Sequence, residues 1–227
     1  MEHYDVIVVG SGSGMLIAST AVASGFKTAI VEHGPMGGTC LNRGCVPSKI
    51  IIHPADITVM IREGERLGVK AQINSINFSN IMARMSKVVS EDSGSQARAI
   101  EATPGLTWFK ETAEFISDYT LQLSKQIIKG ERIFIVSGAR PGIPPVRGIE
   151  DVNYLTSDTV LELDTLPKSI IIMGGGYIGA EYGHFFSGLG TRTTIIQRPD
   201  RMVPEEDPEI SEQIGRASCR ERVYSNV

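Results

Sequence analysis

Two short stretches of the chain constrain its fold more than anything else in it. Tyr4 to Val9 reads YDVIVV and runs straight into the cluster Gly10-Ser11-Gly12-Ser13-Gly14. Ser169 to Met173 reads SIIIM and runs into Gly174-Gly175-Gly176-Tyr177-Ile178-Gly179. Each cluster is followed by a stretch rich in small and apolar residues, Met15 to Ser24 in the first case and Ala180 to Leu189 in the second. Each stretch then leads to another β-branched run, Thr28 to Val31 and Thr193 to Ile196. Strand, glycine turn, helix and strand make a βαβ unit, and two of them in tandem predict an α/β fold.

The glycines carry a specific physical demand. In a Rossmann-like turn the first glycine permits the tight bend and the second lets backbone approach a pyrophosphate. The third lets helix and strand pack closely. The start of the following helix supplies unpaired N–H groups to phosphate. The second turn matches throughout, so Gly174, Gly176, Tyr177, Ile178 and Gly179 are candidate nucleotide contacts. The first matches at Gly10 and Gly12 but has Met15 in the third place, and we expect Gly14 to relax the packing there. Glu32 stands about 20 residues beyond the first turn, where an acid can hold a ribose hydroxyl. The matching place in the second unit holds Gln197, followed by Arg198. An acid there would repel a 2′-phosphate and an arginine would attract one, so the second nucleotide is read as NADP(H) in preference to NAD(H). Arg201 is a candidate helper.

Between the units, 39–67 reads as largely helical, broken near Pro47 and Pro54, and Phe78 to Ile100 as a long helix. Leu106 to Val136 reads as a β-meander. The stiff stretch from Pro141 to Gly148 is the expected domain boundary. Net charge is −4 over 227 residues, with no basic block, which argues against nucleic acid as main partner. No run reaches the roughly 18 apolar residues of a membrane span. The acidic opening MEHYD lacks the features of a secretion signal. We expect a cytoplasmic protein.

The stretch GGTCLNRGCVPSK, 37–49, places Cys40 and Cys45 after a glycine pair. The spacing leaves open a structural disulfide, half a metal site or a redox pair. Cytosolic thiols are normally kept reduced, which tilts the pair toward chemistry. His3, His33, His53 and His184 show no metal-ligand spacing, so no metal site is expected.

Taken together, VIVVGSGSG, VEHGPMGGTCLNRGCVPSK, IFIVSGARP and IIIMGGGYIGAEYG resemble the flavin-dependent pyridine nucleotide–disulfide oxidoreductases over about 4–213. Within that group GTCLN and CVPSK are most similar to dihydrolipoamide dehydrogenase, with mercuric, mycothione and glutathione reductases as alternatives. Met15 departs from the pattern, and Arg43 stands where the family usually has valine. The resemblance implies an FAD domain with a β-meander over 1–148 and an incomplete NAD(P) domain over 149–213. It implies Glu32 on the adenosine ribose, and Gly10, Gly12, Gly14, Gly37, Gly38 and Thr39 around the pyrophosphate. Ser137, Gly138 and Ala139 would return to the FAD, and the backbone near Ala113 would touch it. Cys40 and Cys45 would form the redox disulfide, with Cys40 exchanging with substrate and Cys45 as the flavin-side, charge-transfer thiol. Lys49 would lie by the flavin, paired with Glu181. A thiol at a helix start beside a lysine is expected to have a lowered pKa. Electrons would pass from NAD(P)H through FAD and the cysteine pair to a lipoyl-type or other small disulfide. The alternative of another class is an FAD-binding piece without turnover.

The run Ile214-Gly215-Arg216-Ala217-Ser218-Cys219-Arg220-Glu221-Arg222-Val223 reads as the translation of a common sequencing adapter. We therefore expect 214–227 to be a foreign tail, and the native sequence to continue into a second half. That half would carry the His-Pro-Thr base, which none of the four histidines here supplies, and would form a homodimer.

Overall fold

The computed structural model describes residues 1–218. It divides into two compact units. One comprises Met1–Pro47 and Ser86–Asp158; the other comprises Ser48–Met85 and the chain from Thr159 onward. Residues 48–85 therefore belong with the second glycine turn, although they precede the expected boundary near Gly148.

The first unit is built on one sheet in the order β3-β2-β1-β6-β5-β4. Its strands are β1 (Glu2–Val9), β2 (Thr28–Val31), β3 (Leu106–Phe109), β4 (Glu114–Ser117), β5 (Thr120–Gln122) and β6 (Ile127–Ile135). β1, the central strand, pairs in parallel with β2 and β6, from Val6↔Thr28 and Glu2↔Ile128 to Val9↔Val31 and Val9↔Ile135. Val6, Ile7 and Val8 are all buried, as a parallel strand covered on both faces requires. One face packs Ile7, Val31, Phe109 and Leu121; the other packs Val8, Ala18, Ile30, Met36 and Ile100. α1 (Gly14–Ala23) lies on the second face, contributing Ala18 and Ala21.

Two expectations are corrected here. Leu106–Phe109 is not part of the meander; it pairs in parallel with β2. All four residues of β2 are buried, so its outer edge needs a partner. The 24-residue helix α4 (Phe78–Glu101) supplies the long crossover that a parallel connection demands. The antiparallel meander is confined to β4, β5 and β6. Second, the helical stretch breaks near Pro47 as expected, at Gly44, but it does not break at Pro54. α2 (Gly38–Arg43) ends at Gly44, and α3 (Cys45–Glu63) runs on through Pro54. Pro47 lies in the first turn of α3, where a missing N–H costs no helical bond. Pro54 deprives only the Ile50 carbonyl of its donor.

The second unit pairs β7 (Ser169–Met173) in parallel with β8 (Arg192–Ile196), joined by α5 (Tyr177–Gly188). α5 begins at Tyr177, so Tyr177, Ile178 and Gly179, read as turn, form its first residues. Phe185 and Phe186 of α5 are fully buried, with Phe185 packed against Phe78, ring centroids 6.1 Å apart and tilted by 34°. Thr58 and Arg62 of α3 donate to the Gly188 carbonyl at 2.6 and 2.9 Å, closing the end of α5. α6 (Pro208–Ser218) crosses the point near Gln213 where the native stretch was expected to end. Cys219 and the rest of that tail lie outside the described residues. Among the described residues, no helix is long and apolar enough to cross a membrane.

Candidate functional site

In the first unit the candidate residues gather where β1, β2 and β6 end. The chain runs outward from β1 to β2 and β3, then returns to β1's other side as β6. The carboxyl ends of β1 and β6 thus form the switch point where open α/β sheets bind ligands. Gly10 sits there at φ +108°, and a Cβ on it would lie 2.3 Å from the Val136 carbonyl oxygen and 3.0 Å from the Ser137 Cα. Gly38, at φ +60°, brings its backbone against Gly12: a Cβ would lie 2.5 Å from the Gly12 Cα. Gly138, at φ +73°, faces the Thr39 hydroxyl. Bare backbone from three segments therefore converges in one place, a cradle that side chains would fill.

The third-glycine problem is solved one residue early. A Cβ on Gly14 would lie 2.6 Å from a Val8 methyl and 2.7 Å from a Val136 methyl. Gly14 is thus the point of close helix–strand approach, and Met15 packs at the edge of the core.

Glu32 follows β2 and is held by the first turn. Its carboxylate accepts from the Ser11 N–H at 3.0 Å, the Ser11 hydroxyl at 2.9 Å and the Gly34 N–H at 2.8 Å. Burial pushes its pKa up, but the Gly34 and Ser11 donors outweigh burial and hold it below the usual carboxylate value. Ser11 is fully buried and also accepts from the Gly37 N–H at 3.2 Å, so it joins both glycine segments to the acid. The sequence reading passed over Ser11 because the second position of a glycine turn carries no required identity. A cavity of about 140 Å³ lies beside the carboxylate, lined by Glu32, Gly34, Gly38, Asn42 and Arg43 among others. Asn42, also missed, donates to the Met36 and Gly38 carbonyls at 2.9 Å each and fixes the glycine pair to α2. Its position between the cysteines was the available signal. Ala113 packs against the core face of Tyr4 and Leu121, and Ala139, next to Gly138, is exposed.

Cys40 lies in α2 and Cys45 opens α3, with Gly44 between the two helices. Both are free thiols and both are exposed. They are in contact. The Cys40 thiol donates to Cys45, and this raises the Cys40 pKa first, with burial and the neighbouring charge of Cys45 adding to it. The Cys45 N–H donates back to the Cys40 sulfur, a smaller effect in the other direction. The expected lowering of a thiol pKa is therefore reversed at Cys40, because its strongest neighbour is the other sulfur and not a cation.

In the second unit Lys49, on α3, forms an ion pair with Glu181, on α5. Gly174 makes the bend at φ +107°, and a Cβ on Gly179 would lie 2.0 Å from the Gly174 carbonyl oxygen, so both glycines are required. Gln197 reaches back over the turn: a Cβ on Gly175 would lie 1.9 Å from its side-chain oxygen. The Gln197 amide donates to the Arg201 carbonyl, and Val203 N–H donates to the Gly175 carbonyl at 2.7 Å. Arg198 is exposed at the end of the same strand, while Arg201 is engaged with the Pro204 carbonyl at 3.1 Å. The Tyr177 hydroxyl donates to Glu206, which raises the Tyr177 pKa. His53 is exposed. Among the described residues, no group of three or more metal-ligating side chains is placed to hold a metal.

The sequence profile of the pyridine nucleotide-disulphide oxidoreductases matches residues 4–224. The chain belongs to this family. It is 33% identical to a mercuric reductase of Lysinibacillus sphaericus, over 95% of this chain and 40% of the relative. It is 33% identical to the mycothione reductase of Mycobacterium tuberculosis, over 100% of this chain and 51% of that enzyme. It is also 33% identical to the dihydrolipoyl dehydrogenase of Bacillus subtilis, over 93% and 48%. A solved HOCl-induced flavoprotein disulfide reductase, RclA from Escherichia coli, superposes with a TM-score of 0.86 at 28% identity, covering 100% of this chain and 50% of the other. The chain thus spans about half the length of the relatives it matches, and members of the family are flavin-dependent oxidoreductases that use a pyridine nucleotide.

Proposed function

We propose that the protein is a flavin-dependent dithiol–disulfide oxidoreductase, with Cys40 and Cys45 as the couple that meets the substrate. The observation that carries this reading is the contact between two exposed thiols across Gly44. FAD, when bound, supplies two-electron exchange between the nicotinamide and the sulfur pair. The residues that would hold it are Gly10, Gly12, Gly38 and Thr39 at the pyrophosphate, Glu32 at the ribose, and Ser137 and Gly138 beside them. Gly174, Gly176, Gly179 and the start of α5 would hold the nicotinamide nucleotide. Exposed Arg198 supports NADP(H) as that nucleotide.

The thiol chemistry balances within the pair. The Cys40 sulfur, as thiolate, attacks one sulfur of a substrate disulfide, and the substrate's other sulfur leaves and takes up a proton. The Cys45 sulfur then attacks Cys40 and releases the second substrate thiol, leaving a Cys40–Cys45 disulfide. Run backwards, the same steps oxidise a dithiol. A lipoyl-type disulfide is the substrate class we favour, from the GTCLN and CVPSK segments.

The test is a panel on the full-length protein loaded with FAD: lipoamide, glutathione and mycothiol disulfides, and Hg(II), each with NADPH and NADH. Lipoamide turnover that vanishes in Cys40→Ser and in Cys45→Ser is the expected result. Turnover of Hg(II) alone would move the protein to the mercuric type. Retention of FAD with no turnover of any acceptor would leave a flavin-binding module and overturn the catalytic reading.

A further inference from the structure

Arg43 departs from the residue usual at its place and falls inside the redox segment. It lies three residues after Cys40 in α2, and side chains three apart on a helix are neighbours, with Cβ atoms about 5–6 Å apart. A guanidinium so placed should lower the Cys40 pKa, since a nearby cation stabilises a thiolate. It does not do so: the groups that set the Cys40 thiol are Cys45 first and then burial, and its pKa is raised. The Arg43 guanidinium is turned to Asp158, 3.6 Å away, and Asp158 is the less exposed partner at 21% against 41%. The Asp158 backbone N–H donates to the Thr156 hydroxyl at 3.3 Å. Asn42, the residue before Arg43, is tied to the glycine segment through the Met36 and Gly38 carbonyls.

We propose that Asp158 is a positioning residue that holds the Arg43 cation away from Cys40 and so restrains the nucleophilicity of that thiol. The titratable groups set against Cys40 are few. Cys45 faces it from α3, and Arg43 shares its helix. Lys49, one turn along α3 from Cys45, is taken up by Glu181. Releasing Arg43 therefore adds the one cation that α2 itself can bring to the sulfur. The inference rests on reading Cys40 as the exchanging thiol. Alkylation, however, reads the thiol without flavin or substrate, so its result is independent of whether the protein turns over a disulfide.

The experiment is the pH dependence of iodoacetamide alkylation at Cys40 in the reduced chain, resolved from Cys45 by mass spectrometry. Asp158→Asn should displace the Cys40 profile to lower pH and raise its rate at pH 7 about threefold, the scale of a partly exposed charge contact. Asp158→Glu should stay at the parent profile. Asp158→Asn combined with Arg43→Lys should keep the gain, and combined with Arg43→Met should lose it. An unmoved profile in Asp158→Asn overturns the proposal. So does an equal displacement with methionine at position 43, because a general loosening of the segment would not need the cation.

Discussion

Gly38 and Gly12 meet backbone to backbone: a Cβ on Gly38 would stand 2.5 Å from the Gly12 Cα and 2.9 Å from its nitrogen. Nothing flexible can yield there, and φ at Gly38 is +60°, a conformation that costs an L residue about 1–2 kcal/mol by itself. Gly38→Ala should therefore lose FAD retention on gel filtration while keeping its far-UV circular dichroism. Full flavin retention in that variant would mean that the cradle is not the pyrophosphate site.

The close approach at Gly14 makes a separate prediction about stability. An added Cβ meets the Val8 and Val136 methyls at 2.6 and 2.7 Å, and side chains can shift a little where backbone cannot. Gly14→Ala should cost about 1–3 kcal/mol in urea denaturation, the range for an overpacked core. Because Val136 is one of the two obstacles, Val136→Ala should recover part of that loss in the double variant. Additive losses would place the strain elsewhere.

Much of this arrangement could be read from the chain itself, and the failures have physical causes. The first βαβ unit was legible because Val6, Ile7, Val8 and all of TAIV are buried, and the second because glycine is needed at its bend. Leu106–Phe109 was misassigned because an isolated apolar run carries no mark of parallel or antiparallel pairing; the bare edge of β2 decides it. Pro54 misled because a proline beyond the first turn usually ends a helix, whereas Ile51 and Ala55 on either side of it are wholly buried and hold α3 together. Ser11 and Asn42 were invisible because a polar side chain's partner is fixed only by the fold. The nearness of Cys40 and Cys45 was legible in their spacing, but the direction of the Cys40 pKa was not, since it is set by the hydrogen bond to the Cys45 sulfur.

The Glu32 carboxylate predicts a pH signature. Its pKa in the folded chain lies below the ordinary 4.5, so its contribution to stability is fully present above that value and is lost as pH falls through the lower one. Glu32→Gln should lower the urea midpoint at pH 7, and the gap from the parent should close as the pH is taken well below 4.5. A gap that stays constant from pH 7 down to pH 3 would show that the loss is one of packing and not of charge.

Lys49 and Glu181 are paired with side chains 62% and 36% exposed. Pairs this open contribute little, about 0.2–1 kcal/mol. A double-mutant cycle with Lys49→Met and Glu181→Gln should return a coupling energy in that range at low salt, shrinking toward zero in 1 M NaCl. Coupling well above it would mean that the pair is drier in solution than its exposure implies.

Nucleotide choice is the sharpest prediction of the second unit. On the proposed reading Gln197 stands where an acid would hold an unphosphorylated ribose, and its side chain is turned onto the Gly175 backbone. Arg198 is exposed beside it, with no partner among the described residues, while Arg201 is drawn to Pro204. Arg198 is therefore the cation free to meet a 2′-phosphate. By calorimetry the full-length protein should bind NADPH more tightly than NADH, and Arg198→Ala should weaken NADPH roughly tenfold while leaving NADH nearly unchanged, as expected for loss of one charged hydrogen bond. Arg201→Ala should have the smaller effect, because its guanidinium must first leave a carbonyl. Tighter binding of NADH by the parent would overturn the assignment. Equal weakening of both nucleotides in Arg198→Ala would show that Arg198 meets a phosphate common to the two.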